Sequence, residues 1–573
     1  MCTAFILRYF FLLETICILI ITCHCAPKHR NEYSWSPSAM DLRNKDSSSE
    51  DVLSVVIIGN GPSGICISYL LSGYTPYLSP EGFHPNPVLH RKLAENSHLS
   101  LFEQDLEYLC EGVEGRSSNP VAVLFDSLLL PDSDFGLNYT SPLLWRHEPE
   151  RAIPHLVLGK GPPGGAWHAM EGSMLTLSLA NWMELPGLKL KDWMRDKRRS
   201  VRNDRATPTE IASYYQHYVS QMGLEGRFAC GTTVTSLQRV ALGPGRSGWR
   251  VEGVQRRADT MMDLPFSVQA ENVVLATGTH DIPARLGIEG ETLPFVCHSF
   301  WELEAAILSG RLGRASEPVL VVGAGLTAAD AVLAAHHLNT PVYHAFRRSV
   351  SDPALIFNQL PKLLYPEYHK VHQMMSQQQY QPGDAESEPG AQSVPLPGGG
   401  DNVARYLGYL SFPKHRVVAF KPGGKCVLEG EEGHQMALCV SMALVLIGSH
   451  PDLGFAPEQG RALGLEPGEP ISCRRNPIDV NPYTYECVQE PGLYAMGPLV
   501  GENFVRFLKG GALAIACDLA RKRRSLPDRA TAESSAYHLL SHQLSNCSLV
   551  CVEGGQGQSV KERLERREMG KVE

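Results

Sequence analysis

The sequence contains no Cys-x-x-Cys pair: its 15 cysteines are scattered along 573 residues without a recurring spacing. That argues against a redox dithiol and against a structural zinc site. Scattered thiols also suit a reducing compartment better than a disulfide framework. There is no uncharged run long enough to cross a bilayer either. The N-terminal apolar stretch, Phe5 to Cys25, is interrupted by Arg8 and Glu14, and its uncharged part from Thr15 to Cys23 is too short. It resembles the apolar segment of a signal peptide, with Cys25-Ala26-Pro27 close behind, but its basic leader is weak. A non-standard extension of a cytoplasmic protein is therefore the preferred reading, with secretory entry as the alternative. The sequon Asn138-Tyr139-Thr140 matters only in that alternative. Positive charge is in deficit too, 52 Lys and Arg against 61 Asp and Glu, a net charge of -9. This excludes a nucleic-acid binder that depends on phosphate contacts. Firm membrane association is not expected.

What is present is a composition that buries a core, 43% hydrophobic and 20% charged. Residues 1–50 divide into the apolar stretch and a polar linker, and residues 526–573 form a polar tail. Between them, apolar β-branched runs alternate with helical stretches: Val52 to Ile58, Asn272 to Ala276, Pro318 to Val322 and Ser441 to Ile447 read as buried parallel strands. The pattern predicts an α/β fold with two nested Rossmann-like dinucleotide-binding domains. The expected division is 51–294 and 441–525 for the first domain and 295–440 for the second. A Gln-, Pro- and Gly-rich stretch, 376–402, reads as a disordered surface insertion.

The first strand runs into Gly59-Asn60-Gly61-Pro62-Ser63-Gly64 and then an apolar helix. Glycines at these places permit the tight turn and let backbone amides and the helix N-terminus meet a pyrophosphate. Pro62, where no amide donor is needed, suits a flavin-type version, so FAD is the expected cofactor. Such a unit calls for an acid at the tip of its next strand, about 20 residues on, to hold the ribose hydroxyls. Leu99, Leu101 and Glu103 recur at the two-residue period of a strand, which makes Glu103 the candidate, with 73–98 as an insertion.

The second unit is Gly323-Ala324-Gly325-Leu326-Thr327-Ala328, again between a strand and a helix. Its next strand, Pro341 to Phe346, ends in Arg347 and Arg348 at close to the usual interval. Arginines at that tip recognise the 2′-phosphate of NADP, so the second cofactor expected is NADPH. Three further segments fit beside a flavin. Gly164-Gly165-Ala166-Trp167-His168 is a glycine turn ending in an aromatic. Ala276-Thr277-Gly278 closes the 272–276 strand. Gly497 and Asn503 precede a glycine-containing apolar helix whose N-terminus suits a flavin carbonyl or pyrophosphate.

Taken in order, these motifs resemble those of the class B flavin monooxygenases, the flavin-containing and N-hydroxylating enzymes. The stretches VVIIGNGPSGICISYLLSGY, GPPGGAWHAMEGSMLTLS, NQLPKLLYPEYHKVHQMM, VLIGSHPDL and GPLVGENFVRFLKGGALA resemble more closely the oxidative-stress-induced growth inhibitor family. The resemblance covers most of 52–522 and implies an FAD- and NADPH-dependent monooxygenase linked to growth restraint, cell death or differentiation. In such enzymes NADPH reduces FAD, O2 adds at the flavin C4a atom, and the protein keeps water out. The substrate would be a small molecule or a protein side chain, and protein partners are compatible with the reading.

Departures from the wider pattern concern the reaction. The segment PFVCHSFW keeps His298 where these enzymes have a histidine but loses the preceding glycine spacing. Ser178 falls where many carry an asparagine near the flavin C4a. The closing ATGY is replaced by Ile447-Gly448-Ser449-His450. These changes keep two alternatives open: an NADPH oxidase that releases peroxide, and a flavin-binding regulatory scaffold. His168 is a candidate for proton handling, weighed against a packing role. The basic run from Lys191 to Arg205 reads as a solvated helix face, and Tyr214, Tyr215, Tyr218 and Cys66 as core.

Overall fold

The computed structural model describes residues 52–135, 139–170, 174–196, 205–256, 262–380 and 408–525. The N-terminal stretch, the sequon's Asn138, most of the 191–205 basic run, residues 381–402 and the tail therefore lie outside the described residues. In chain order, β1 (Leu53–Ile58) leads into α1 (Pro62–Leu71), followed by β2 (Tyr74–Leu78), α2 (Pro120–Leu129) and β3 (Leu143–His147). Then come β4 (His155–Gly159), α3 (Pro208–Gln221), β5 (Phe228–Cys230), β6 (Thr232–Gly243), β7 (Arg246–Arg256) and β8 (Asp263–Leu275). Strands β5-β4-β1-β8-β7-β6 form one sheet in that order, with β1 parallel to both β4 and β8. Runs such as LSVVII are apolar on both faces because both faces are covered, as a parallel sheet requires.

The second sheet takes β9 (Val296–Cys297), β10 (Val319–Val322), β11 (Val342–Phe346), β12 (Tyr409–Pro413) and β13 (Met442–Val445), all parallel, in the order β9-β13-β10-β11-β12. Helix α4 (Leu326–His337) joins β10 to β11, and α5 (Pro366–Gln377) precedes β12. One face packs Ala328, Val332, Val371 and Met375; the other packs Phe412, Phe420 and Leu428. Each fully buried aliphatic side chain here contributes roughly 1.5–3 kcal/mol of transfer free energy.

After β13 the chain returns to the first sheet, where β14 (Leu493–Ala495) pairs parallel with β8, and the last described element is α6 (Val505–Arg524). The second sheet is thus inserted within the chain that builds the first. Helix α6 lies so close to α2 that a Cβ on Gly510 would sit 2.3 Å from Ala122 Cα.

Two expectations need correction. Helix α5 runs to Gln377, the Tyr380 amide donates to Ser411 O at 2.9 Å, and its ring stacks on Phe412. Residues 376–380 are therefore part of the packed structure, not of a polar insertion. The strand beside β1 is not 99–103 but β4, while β2, the strand that follows α1, pairs antiparallel with β3 in a separate sheet.

Candidate functional site

Strand β1 ends in a turn whose glycines have three different tasks. Gly59, at φ +116°, passes so near β8 that a Cβ would lie 2.3 Å from Ala276 O. Gly64 packs α1 onto the turn, where a Cβ would meet Gly59 O at 1.9 Å. Gly61 is different: nothing lies within 4 Å of a Cβ built on it. It is also the N-cap of α1, has no side chain to cap the first amides, and is followed by Pro62 at the first helical position. Helix α3, by contrast, closes its N-terminus with a Thr207–Glu210 capping box. The amides of α1 are left for an anion.

Other segments converge on this turn. Gly165, at φ +56°, brings the 164–168 turn to within 3.0 Å of Gly61 Cα, measured from a built Cβ. Gly497, at φ +67°, stands over Ser63, whose Oγ would be 2.5 Å from a Cβ there. Thr277 follows Ala276 directly, and its buried Oγ1 has no hydrogen-bond partner. Gly278, at φ +72°, faces open space. Four segments far apart in sequence therefore surround one set of free amides and an unpaired hydroxyl, which fits a dinucleotide such as FAD.

Glu103 is not among them. Its carboxylate accepts from Ser100 N and Oγ, pairs with Arg151 at 3.1 Å, and meets Arg524 at 3.3 Å. Arg524 ends α6, whereas Gly497 and Asn503 precede its start. The 99–103 segment meets the second half of α6, where Cys517 Sγ approaches Leu101 O at 3.7 Å, so Glu103 lies away from the glycine turn, toward the far end of that helix. Asn503 itself is exposed and donates to Gly501 O at 3.2 Å.

Both candidate histidines make bonds within the protein. His168 Nε2 donates to Pro163 O at 2.8 Å and so pins the turn that carries Gly164, Gly165 and Trp167. His298 Nε2 contacts Glu291 Oε1 at 3.0 Å, and the same carboxylate accepts from Leu286 N and Gly287 N at 2.7 Å each. Burial alone would raise the Glu291 carboxyl, but His298 and the two amides hold it below its usual value. This pair lines a 540 Å³ cleft with Arg285 and Trp301.

Ser178 is buried, and its carbonyl accepts from Thr176 Oγ1 at 2.8 Å. The segment before it is gripped by Arg205, which donates to Thr176 O (2.6 Å) and Leu175 O (3.3 Å), and by Tyr365, whose hydroxyl donates to Leu177 O (2.7 Å). Arg205, the last residue of the basic run read as solvated, is 2% exposed. Tyr214, Tyr215 and Tyr218 are fully buried in α3, and burial pushes the Cys66 thiol up to about 12, so it is packed rather than reactive.

The second glycine turn repeats the geometry of the first. Gly323, at φ +126°, would press a Cβ to 2.3 Å from Leu446 O; Gly325 faces open space and caps α4 without a side chain. Leu326 and Thr327 start the helix, and Ala328 is fully buried where a larger residue would separate helix from sheet. Arg347 and Arg348 follow β11 directly and are exposed, with Arg348 Nη1 at 2.9 Å from Asp352 Oδ2. Sequence reasoning missed His344. It is buried in β11, donates from Nε2 to Gly323 O at 2.7 Å and accepts from the Tyr409 hydroxyl at Nδ1, 2.8 Å. Burial lowers it to about 4, so it holds the turn as a neutral ring.

Compared with known proteins, the sequence is 54% identical to human oxidative stress-induced growth inhibitor 2, over 82% of this chain and 94% of that protein. The chain belongs to the oxidative stress-induced growth inhibitor family. Human oxidative stress-induced growth inhibitor 1 is 53% identical over 84% of this chain and 98% of its own length. No family model matches. Among solved structures, a bacillithiol disulfide reductase from Bacillus cereus aligns at 15% identity with a TM-score of 0.49, covering 82% of this chain and 99% of that one. All nine described cysteines of this family member are free. Among its described residues no cluster of His, Cys, Asp and Glu is placed to hold a metal ion. No described helix is long and apolar enough to cross a membrane.

Proposed function

We propose that this chain is an FAD- and NADPH-dependent monooxygenase that acts on a small molecule or a protein side chain. The observation that carries this is the convergence of Gly59–Gly64, Gly164–Trp167, Thr277–Gly278 and Gly497 around free helix amides and the unpaired Thr277 hydroxyl. FAD, when bound, supplies the redox chemistry, accepting a hydride and activating O2 once reduced. The protein's part is placement. Gly61 lets the turn approach a pyrophosphate, and the Thr277 hydroxyl supplies a donor. The 164–168 turn, pinned by His168 and set against Gly61 at Gly165, carries Trp167, which would help to exclude water. Gly325 and the first turn of α4 would take the pyrophosphate of NADPH, with Arg347 and Arg348 on its 2′-phosphate. Ser178 offers a hydroxyl in the tightly held segment between the two units. The names of the relatives support a role in growth restraint under oxidative stress, and we assign the activity to the cytoplasm.

A second reading, an NADPH oxidase that releases peroxide, is favoured by one observation: both candidate histidines are committed to structural bonds. Turnover of FAD-loaded protein with NADPH and isotopically labelled O2 separates the two. Label recovered in an organic product supports the monooxygenase. One peroxide per NADPH, whatever candidate substrate is added, contradicts it.

A further inference from the structure

The strand beside β1 ends without the group that a dinucleotide site ordinarily places there. A carboxylate at that tip normally takes the ribose hydroxyls. Here β4 ends at Gly159, and the residues that follow, KGPPGGAWH, contain no acid. Nor is there room for a side chain. A Cβ on Gly159 would lie 2.1 Å from Asn60 Cγ and Nδ2 and 2.6 Å from its Oδ1.

Asn60 is the first variable residue of the glycine turn, and it is 4% exposed. Its Nδ2 donates to Gly161 O at 2.7 Å and approaches Cys230 Sγ at 3.8 Å, while the backbone carbonyl of Asn60 accepts from Gly164 N at 2.9 Å. The side chain is therefore fixed over the strand tip, in the space a carboxylate of β4 would otherwise fill. With Nδ2 committed to Gly161, Oδ1 remains an acceptor with two lone pairs.

We propose that Asn60 Oδ1, carried by the glycine turn itself, replaces the strand-tip carboxylate as the acceptor for the adenosine ribose of the flavin. The proposal rests on the flavin reading above. A neutral acceptor forms a weaker hydrogen bond than a carboxylate, so the adenosine half adds less affinity than such a site usually obtains. Lys160, next in sequence to Gly159, is turned to Asp281 and Asp452, at 3.2 and 3.6 Å.

The test is flavin binding to the full chain, followed by fluorescence, with FAD and FMN compared in wild type, Asn60→Ala, and the Asn60→Ala/Gly159→Glu double variant. FMN lacks the adenosine and so serves as the control. Asn60→Ala should weaken FAD about tenfold and leave FMN unchanged. The double variant, with space freed and a carboxylate restored, should regain FAD affinity. Wild type should also bind an FAD analogue lacking both adenosine ribose hydroxyls about tenfold more weakly than FAD, a measurement that needs no variant to fold. Equal loss of FAD and FMN in Asn60→Ala would show that the residue only holds the turn, and would overturn the proposal. So would undiminished binding of the analogue. Wild type that binds neither flavin is a separate outcome, which removes the flavin reading itself.

Discussion

Arg205 Nη1 lies 2.7 Å from Glu367 Oε1, joining the segment before Ser178 to α5. The same guanidinium donates to Thr176 O and Leu364 O, and it stacks over the Tyr365 ring at 4.6 Å. Its side chain is fully buried, and its planar fork serves acceptors in several directions. Arg205→Ala leaves those buried carbonyls without donors and should cost about 3 kcal/mol in denaturant unfolding. Arg205→Lys, with a point charge in place of a fork, should recover less than half of that loss.

The two inner glycines of the first turn should separate binding from folding. At Gly61 an added methyl meets no protein atom, so Gly61→Ala should match the melting temperature of flavin-free wild type but lose retained flavin. At Gly64 the methyl would overlap Gly59 O, so Gly64→Ala should lower the melting temperature by several degrees. If the Gly61→Ala protein were to retain stoichiometric flavin, the assigned pyrophosphate approach would be wrong.

Much of this was legible because it is local. A β-branched strand, a glycine turn and an apolar helix follow one another in sequence at 52–71 and again at 318–337, and the structure has both. The partner of β1 was not legible. The chain makes the β2–β3 pair and α2 before it lays down β4, so no interval counted from Gly64 reaches Gly159. Glu103 misled because LSLFE alternates like a strand. Ser100 and Glu103 bond each other through side chain and backbone instead, and close a turn. Arg205 was hidden in a run of charges, although its own side chain turns inward. His344 and Asn60 act through contacts that only the folded chain supplies.

Charge at the second strand tip should govern cofactor choice. Replacing Arg347 and Arg348 together by Ala should raise KM for NADPH more than tenfold, because charge-assisted bonds to a phosphate are worth about 1.5–3 kcal/mol each. KM for NADH should change little. Equal effects on both would remove the 2′-phosphate assignment.

Two buried groups set opposite pH dependences. The Glu502 carboxyl is raised to about 7 by burial, against hydrogen bonds from Tyr485 and Asn119. The folded state then binds its proton more tightly than the unfolded state does, so stability falls as pH rises from about 4.5 to 7. Glu502→Gln keeps the acceptor for Tyr485 Oη and Asn119 Nδ2. Its stability relative to wild type should climb across that window by up to about 1.4 kcal/mol per pH unit. His344 works in the other direction. Its lowered value, about 4, means that stability is lost as pH falls from about 6.5 to 4, and His344→Gln should remove that contribution. Chemical denaturation across the pH range reads both.

On this reading NADPH at the second glycine turn reduces a flavin at the first. Anaerobic mixing of FAD-loaded protein with NADPH in a stopped-flow instrument tests it most directly. The oxidised flavin absorbance should bleach with NADPH, more slowly with NADH, and much more slowly in Gly325→Ala. Absorbance unchanged by either nucleotide, in protein that retains its flavin, would contradict it.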